Sequence, residues 1–292
     1  MKLVSENPNK LLQIPEVRSI VSAERLERAQ QSIKIFDSGC DSRSSTIEHN
    51  LNNLLGLSGF DRGSTLVQSL LLLEEFQLFS GFAKCLCVGP RNEAELLALL
   101  GFGLEQQNIR GLDLISYSDF VDLGDMHEMP YADNSYEIII AGWVLAYSVT
   151  VDQAIHEICR VLRPGGIVSI GWDMSRKYLK QTNEKILFNE HGILDQSEGL
   201  SIERSADIIQ LFLRLGYQLE SLFTQDSKAP YDVVTRRNIL VAKVYPKAAY
   251  PAVVDTIFRD DIALRALSRQ IGNSGNPTLK GMSEVVASIS RD

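Results

Sequence analysis

The chain has 292 residues, of which 45% are hydrophobic, and it carries a formal net charge of -8. This composition is typical of a globular protein that buries a substantial core. The acidic balance opposes a broad phosphate-binding surface, so we expect no nucleic-acid partner. The longest apolar stretch, at residues 70–78, contains two glutamates, and it falls short of the roughly 20 residues that a membrane helix needs. The first ten residues have no apolar segment of the secretory kind, which favours a cytoplasmic protein.

The cysteines are predicted to be core residues rather than metal ligands. Two of them lie inside an apolar strand pattern, KCLCVG, and the chain has no second pair at metal-ligand spacing. We therefore expect no bound metal and four reduced thiols, at Cys40, Cys85, Cys87 and Cys159.

Residues 1–80 are predicted to form a helical N-terminal region. Apolar residues recur at helical spacing over 47–55 and again over 66–73. Small polar residues at 37–45 predict a loop between helical segments.

From Lys84 onward, short apolar runs alternate with helical patterns, which is typical of an α/β fold with a mainly parallel sheet. The predicted helices are Glu93–Leu100, Val151–Leu162 and Glu203–Leu215. The predicted strands are Cys85–Val88, Ile109–Ile115, Glu137–Gly142, Ile167–Trp172, Tyr217–Phe223 and Asn238–Val244. No helical pattern joins the last two strands, so we expect them to form an antiparallel pair.

The pattern divides the chain into a helical region at 1–80, a central α/β domain at 81–247 and a helical C-terminal extension at 248–292. A polar insertion at 175–200 interrupts the central domain. In the extension, apolar residues recur at helical spacing over 254–262.

The turn after the first strand, Val88–Asn92, is a candidate binding turn. Gly89 permits a tight turn, and Asn92 can cap the next helix, whose N-terminus attracts a carboxylate or a phosphate. Arg91 offers a charge-assisted bond to a carboxylate. The plainer alternative is an ordinary turn with Arg91 in solvent. The turn is not a G-x-G-x-x-G fingerprint, because Arg91 and Glu93 stand where glycines are needed.

Two aspartates mark the ends of neighbouring segments. Asp113 closes the second apolar run, where an acidic residue can accept both hydroxyls of a ribose, although an ordinary solvent-facing aspartate is the alternative. Asp125 opens the segment 124–148, in which a loop precedes a buried strand. Because ligands bind at the rim of open α/β sheets, this order points to a nucleotide-like cofactor.

The connection between the two aspartates is too short for a crossover helix. They are 12 positions apart (125 − 113), whereas such a crossover takes about a dozen residues or more beyond the strands. We expect a short loop with at most a vestigial strand. Tyr117 and Phe120 would then either stack on a ligand ring or fill the space of the missing helix, and the pattern favours neither.

Aromatic residues follow the third predicted strand of the domain. Gly142 and Trp143 are expected to line an apolar pocket near the reacting centre, with simple core filling as the alternative for Trp143. His127 lies in the loop of the second aspartate, so we expect it to line the site rather than act as an acid or base.

A catalytic base is not evident from the pattern. His191, in the insertion expected to cover the acceptor side, is a weak candidate, and so are Tyr147 and Asp173. An exposed loop position is the plainer interpretation of His191.

The segment 125–166, with DMHEMPYADNSYEIIIAGWVLAYS and RVLRPGG, resembles the second half of class I S-adenosylmethionine-dependent methyltransferases. The resemblance covers residues 83–247 and is sharpest over 124–171. It implies a Rossmann-like, seven-stranded, mostly parallel sheet with helices on both faces and a reversed last hairpin. It also implies S-adenosylmethionine as cofactor, bound by Gly89, Pro90, Arg91, Asp113, Asp125, Met126, His127, Gly142 and Trp143.

By this resemblance, the turn at Gly89 meets the methionine part of the cofactor and Asp113 holds the ribose. Asp125 and the backbone of Met126 meet the adenine, and residues 141–143 lie beside the sulfonium. The chain departs from the family at its first strand and turn, where Cys87 replaces an acidic residue and the turn has fewer glycines.

The expected function is methyl transfer to a small-molecule acceptor, specifically O-methylation of a hydroxylated metabolite or sugar. One alternative is a methyltransferase-like interaction module without activity. Another is a nicotinamide-dependent oxidoreductase, which would require a glycine turn that cradles phosphate.

Overall fold

The structure is a computed structural model. It describes residues 7–37, 46–48, 50–52, 54, 62–74, 76, 80–148, 150–173, 193–195, 200–202, 204–226 and 237–248. His191, most of the insertion at 175–200 and the helical pattern at 254–262 lie outside the described residues. In the part of the chain that is described, no helix has the length and apolarity to cross a membrane.

The described α-helices are α1 (Pro15–Ala29), α2 (Arg62–Leu71), α3 (Glu93–Gly101), α4 (Val151–Val161) and α5 (Ser205–Arg214). The strands are β1 (Lys34–Ile35), β2 (Cys85–Val88), β3 (Ile109–Asp113), β4 (Ile115–Ser116), β5 (Val121–Leu123), β6 (Tyr136–Gly142), β7 (Leu162–Asp173), β8 (Ile193–Asp195), β9 (Leu200–Ile202), β10 (Tyr217–Gln225) and β11 (Arg237–Pro246). Short 3-10 turns lie at Pro8–Gln13, Gln30–Ser32, Gln106–Asn108 and Leu145–Tyr147. Residues 46–48 and 50–52 are also helical.

The central sheet has seven strands in the order β10-β11-β7-β6-β2-β3-β5. The five strands β5, β3, β2, β6 and β7 are parallel, whereas β11 runs antiparallel to both β7 and β10. The predicted α/β fold with a reversed last hairpin is therefore confirmed. The chain runs outward from β2 to β5 and then returns to β6 on the other side of β2, which places a topological switch point between β2 and β6.

Helices cover both faces of the sheet. On one face, α4 and α5 contribute to a core that includes Ile139 and Ala141 of β6. On the other face, α2 and α3 pack over Ile138 and Ile140 of the same strand. Because both faces of β6 are buried, its residues 138–142 form a continuous apolar run rather than an alternating pattern.

Amphipathic spacing explains α4. Val151, Ala154, Ile155 and Ile158 are buried at intervals of three and four residues, which places them on one face of the helix. This face packs on the sheet and brings the loop before α4 to the carboxyl end of β6.

No helix lies between β3 and β5, as the sequence predicted. The connection forms the two-residue strand β4, which pairs antiparallel with β1 of the N-terminal region. A third apolar cluster joins Leu26 of α1 and Leu54 to Ile115 and Tyr117 of this connection. The N-terminal region therefore covers the segment where a crossover helix would ordinarily pack.

The strand β7 begins earlier than predicted. It starts at Leu162 rather than at the predicted Ile167, and it includes the Pro-Gly-Gly sequence. Between Tyr136 and Ile138 of β6, the paired residue on β7 advances from Leu162 to Ile167. This bulge accommodates the extra residues, and Gly165 lies within it with a φ of 78°.

Candidate functional site

A cavity opens at the carboxyl ends of β2, β3 and β6, beside the switch point. Its empty space measures about 730 Å³ including the part open to solvent. Of the predicted cofactor residues, the lining includes Gly89, Arg91, Asp113, Asp125, Met126, His127 and Trp143. The structure thus brings together residues that are distant in sequence.

The turn after β2 requires glycine. Gly89 has a φ of 64°, and its N–H donates to the carbonyl of Leu112 on β3 at 2.8 Å. A Cβ at this position would lie 3.0 Å from Cβ of Val144 and closer still to its Cγ2. The turn therefore combines a left-handed backbone with a close approach that excludes a side chain.

The next residue does not take its predicted place. Among the described residues that line the cavity, Pro90 is missing; it is buried against Gly111 of β3. Gly142 is also outside the lining and pairs with Gly171 of β7 in the sheet. Both residues shape the cavity indirectly, because they determine where the neighbouring Gly89 and Trp143 lie.

The N-terminus of α3 is already occupied by the protein. Asn92 accepts a hydrogen bond from the N–H of Ala94 at 3.1 Å, as predicted for a cap. The N–H of Glu93 donates to the hydroxyl of Tyr117 at 3.0 Å. Burial raises the pKa of Tyr117 to about 12, so this hydroxyl keeps its proton. Tyr117 therefore helps to fill the space of the missing helix and binds the start of α3.

Glu93 is a buried carboxylate at this helix start. Its side chain is 0% exposed, whereas that of its partner Arg25 is 44% exposed. Arg25 donates from Nε to Oε2 and from Nη2 to Oε1, the latter at 3.2 Å. The guanidinium of Arg25 also lies 5.4 Å from the ring centroid of Phe120. Both predicted aromatic residues of the β3–β5 connection thus pack within the protein.

Asp113 lies at the end of β3 and lines the cavity. Its side chain is buried, and Oδ1 accepts the N–H of Ile115 at 3.2 Å. This bond orients the carboxylate at the rim of the sheet, so the predicted acidic residue is present beside the cavity.

Asp125 and His127 form a buried pair beside the same cavity. Oδ1 of Asp125 accepts the backbone N–H of His127 at 2.8 Å and lies 2.6 Å from Nδ1 of its ring. The other ring nitrogen, Nε2, lies 2.7 Å from Oγ of Ser148. The loop after β5 is thereby joined to the segment after β6.

The loop that follows Asp125 is held against α4 by one arginine. Arg160 donates to the carbonyls of Met129 and Tyr131 at 3.0 and 2.8 Å. It also donates to Asp133 and, with two nitrogens, to Glu157. These hydrogen bonds hold the pKa of Glu157 below its usual value.

Trp143 adopts an uncommon conformation at the end of β6. Its φ is 57°, and its N–H donates to the carbonyl of Gly171 at 2.7 Å. The indole Nε1 donates to Oδ1 of Asp173 at 2.9 Å. A Cβ on Gly171 would lie 2.8 Å from the indole ring, so this glycine leaves room for it. A bulky residue at positive φ costs energy, and its occurrence beside a cavity is typical of functional sites.

The sequence did not indicate several lining residues. Thr46 and Asn50, from the helical segment before α2, reach the cavity from a region assigned no role in binding. The other unpredicted lining residues are Val88, Leu112, Leu114, Gly124 and Val144. The catalytic candidate Tyr147 lines the cavity as well. Among the residues searched, which are the described ones, no group of acidic, histidine and cysteine side chains has the arrangement of a metal site.

Comparisons with known proteins match a region that contributes most of the residues lining this cavity. Residues 98–170 match a family model described as a methyltransferase domain. The demethylmenaquinone methyltransferase of Desulfitobacterium hafniense (strain Y51) is 33% identical over 73 residues, which are 24% of this chain and 27% of that protein. The malonyl-[acyl-carrier protein] O-methyltransferase of Methylococcus capsulatus (strain Bath) is 43% identical over 44 residues, which are 15% of this chain and 16% of that protein.

The chain thus spans about a quarter or less of the length of these curated relatives. Among solved structures, the 1,6-didemethyltoxoflavin-N1-methyltransferase of Burkholderia thailandensis, with bound 1,6-didemethyltoxoflavin and S-adenosylhomocysteine, aligns with a TM-score of 0.46. That alignment has 10% identity and covers 70% of this chain and 87% of the other.

Proposed function

We propose that the whole chain is an S-adenosylmethionine-dependent methyltransferase acting on a small molecule. The proposal starts from the match of residues 98–170 to the methyltransferase-domain family. The family resemblance predicted from segment 125–166 is confirmed at the level of the domain. The family match and the names of the relatives support S-adenosylmethionine as the cofactor.

The observation that carries the proposal is the position of two buried aspartates on one cavity. Asp113 ends β3 and Asp125 follows β5, which is the neighbour of β3 in the sheet. Carboxylates accept hydrogen bonds from hydroxyl and amino groups. In the proposed complex, Asp113 accepts from the ribose hydroxyls and Asp125 from the exocyclic amine of adenine, with the backbone of Met126 beside the base.

The chemistry of the lining fits the methionine end as well. The tight turn at Gly89 leaves a space without a side chain, and Arg91 lines the cavity next to it. An arginine forms charge-assisted hydrogen bonds with a carboxylate. We assign Arg91 and the backbone at Gly89 to the amino-acid part of the cofactor.

The buried start of α3 disfavours the oxidoreductase alternative. A dinucleotide places its pyrophosphate on free N–H groups at this helix N-terminus. Here the side chains of Tyr117 and Asn92 accept the N–H groups of Glu93 and Ala94, so these two donors are already engaged by the protein. A cofactor without phosphate avoids this conflict.

When bound, S-adenosylmethionine supplies a methyl group on a sulfonium, and its in-line transfer depends mainly on the alignment of donor and acceptor. The residues of the chain therefore need to orient the two molecules and to exclude water. Trp143, which its bonds to Gly171 and Asp173 hold in place, forms an aromatic wall of the cavity. We propose that this wall separates the methionine end from solvent.

For the acceptor we propose a hydroxylated metabolite or sugar, methylated on oxygen. A hydroxyl must lose its proton during transfer, so the reaction requires a base or a water that carries the proton away. Tyr147 is the candidate within the described lining, and His191 remains a candidate outside the described residues. The name of the relative that methylates demethylmenaquinone supports a small acceptor, and the name of the malonyl-[acyl-carrier protein] O-methyltransferase supports transfer to oxygen.

Calorimetric titration with S-adenosylhomocysteine tests the cofactor assignment. Asp113→Asn keeps the size of the side chain and should weaken binding by about 1–3 kcal/mol through lost charged hydrogen bonds. Asp119→Asn is the matched control, because Asp119 is exposed on the nearby connection. Unchanged affinity in Asp113→Asn would reject the ribose role, and folded wild-type protein that binds no cofactor would reject the enzyme assignment.

A panel of acceptors with methyl-labelled cofactor tests the reaction itself. We expect label to appear on a hydroxylated acceptor and not on the matching deoxy compound. Cofactor binding with no transfer to any acceptor class would instead support a binding module that has lost activity.

A further inference from the structure

His127 has a bonding pattern that the proposed reaction does not explain. Its side chain is 7% exposed although it lines the cavity, and both ring nitrogens are engaged with protein groups. Because a buried ring nitrogen without a partner is costly, the identity of the two partners decides what the ring can do.

The partners determine where the protons are. Because Oδ1 of the Asp125 carboxylate only accepts, Nδ1 of His127 carries the proton that lies between them. In a neutral ring Nε2 is then the acceptor, and the hydroxyl of Ser148 donates to it. The oxygen of Ser148 in turn accepts the N–H of Thr150 at 3.2 Å.

A second bond attaches the same histidine to α4. Gln153 donates from Nε2 to the backbone carbonyl of His127 at 2.9 Å. The ring of His127 is thus held from the segment before α4 and its backbone carbonyl from the first turn of α4. Its backbone N–H and Nδ1 converge on one oxygen of Asp125. Two donors on one oxygen fix the rotation of the carboxylate.

We infer that His127 is a positioning residue that fixes the carboxylate of Asp125 and thereby makes the cofactor site selective for adenine over a 6-oxo purine. The inference rests on the proposed function, because it assumes that Asp125 meets the base. With Oδ1 held by His127, the contact with the 6-amino group is made by Oδ2. A 6-oxo group at the same place would face a carboxylate oxygen and be repelled.

The same pattern opposes a role for His127 in proton transfer. A general base needs an accessible lone pair within reach of the acceptor proton. In the neutral ring the lone pair of Nε2 already accepts from Ser148, which is not among the described residues that line the cavity. His127 therefore acts through Asp125.

Two substitutions separate the two sides of the ring. Asparagine places a donor near the position of Nδ1, so His127→Asn can keep the bond to Asp125 and lose the bond to Ser148. Glutamine reaches the position of Nε2, so His127→Gln can keep the bond to Ser148 and lose that to Asp125. Ser148→Ala is the matched control, because it removes the bond at Nε2, together with the bond from the N–H of Thr150, and leaves the bond between His127 and Asp125 in place.

The experiment measures calorimetric affinities for S-adenosylhomocysteine and S-inosylhomocysteine in each full-length variant. We expect the wild type to prefer the adenine compound and His127→Gln to reduce that preference by about tenfold, as the loss of one well-oriented hydrogen bond predicts. His127→Asn and Ser148→Ala should stay within about twofold of the wild-type preference. A variant that is only destabilised would lose affinity for both compounds alike and keep their ratio.

Three results would overturn the inference. The first is a wild-type preference in His127→Gln, and the second is an equal loss in His127→Gln, His127→Asn and Ser148→Ala. The third is a wild type that binds both compounds equally, which would leave the proposed function intact. Wild-type protein that binds neither compound would reject both the proposed function and the inference.

The position of the proton on the ring of His127 can be measured without a ligand. Long-range proton–nitrogen NMR spectra of the wild type should show His127 protonated at Nδ1, with its signal identified by its loss in His127→Gln. The chain has four histidines, so the assignment is tractable. A ring protonated only at Nε2 would contradict the donor direction on which the inference depends.

Discussion

The ion pair between Arg25 and Glu93 should show a strongly asymmetric response to substitution. The carboxylate is 0% exposed, whereas the arginine is 44% exposed at the side chain. Removal of the arginine therefore leaves a buried charge without its partner, but removal of the carboxylate leaves a cation that water can reach. The matched changes are Arg25→Met, which keeps apolar contact with Phe120, and Glu93→Gln, which keeps the side-chain size.

The expected costs follow from this difference in burial. Arg25→Met should lower the free energy of unfolding by about 3–5 kcal/mol, the cost of breaking a buried pair from one side. Glu93→Gln should lower it by about 1–2 kcal/mol, the cost of lost hydrogen bonds. In the double variant no unpaired charge is buried, so its cost should be smaller than that of Arg25→Met alone by about 1 kcal/mol or more.

Urea unfolding followed by tryptophan fluorescence measures these free energies, provided that the slope m stays constant between variants. Arg28→Met on the same helix is the control, because the pair of Arg28 with Glu24 is exposed and should cost less than about 0.5 kcal/mol. The reasoning fails if Arg25→Met costs no more than the control, or if Glu93→Gln costs more than Arg25→Met.

Further predictions concern the turn at Gly89, the hydrogen bonds of Arg160 and the buried thiol of Cys85. Gly89→Ala should abolish most cofactor affinity in calorimetry, and a variant with wild-type affinity would contradict this. The left-handed φ alone should lower the free energy of unfolding by about 1–2 kcal/mol, and the clash with Val144 should lower it further. Arg160→Met should cost about 2–3 kcal/mol in urea unfolding at neutral pH. Arg160 holds the pKa of Glu157 below its ordinary value, so the stabilisation from this pair is present above the ordinary pKa and is lost as pH falls through the lowered one. Arg160→Met should therefore unfold with a weaker acid dependence, and an unchanged acid profile would count against these hydrogen bonds. Burial raises the pKa of Cys85, so Cys85 should not react with a thiol reagent in the native protein, and rapid labelling detected by mass spectrometry would refute its burial.

The fold could be predicted because its strongest patterns are local. The apolar run of β6 and the helical spacing of α4 each depend on residues close together in sequence. The strand β5 has only three residues, Val121–Leu123, and therefore no periodicity to detect. The absence of a helix before it could still be inferred, because chain length limits what fits between two strands.

The site could be predicted only where it depends on strand ends. Asp113 was singled out from its position at the end of an apolar run and Asp125 from the loop that precedes the buried strand β6, and both line the cavity. Thr46 and Asn50 could not be recognised, because their approach to the cavity depends on how the N-terminal region packs on distant segments. The ion pair of Glu93 with Arg25 was missed for the same reason, because the two residues are 68 positions apart in the sequence.

The packing of α1 and β1 on the β3–β5 connection has a consequence for how the chain folds during translation. Leu26 emerges well before Ile115 and Tyr117, with which it shares a buried cluster, so its apolar surface stays in water while the intervening segment is translated. Long-range closure of this kind slows folding. We expect this corner to become protected late in pulsed hydrogen exchange, after the β6–β7 region, whose strands and intervening helix are contiguous in the chain.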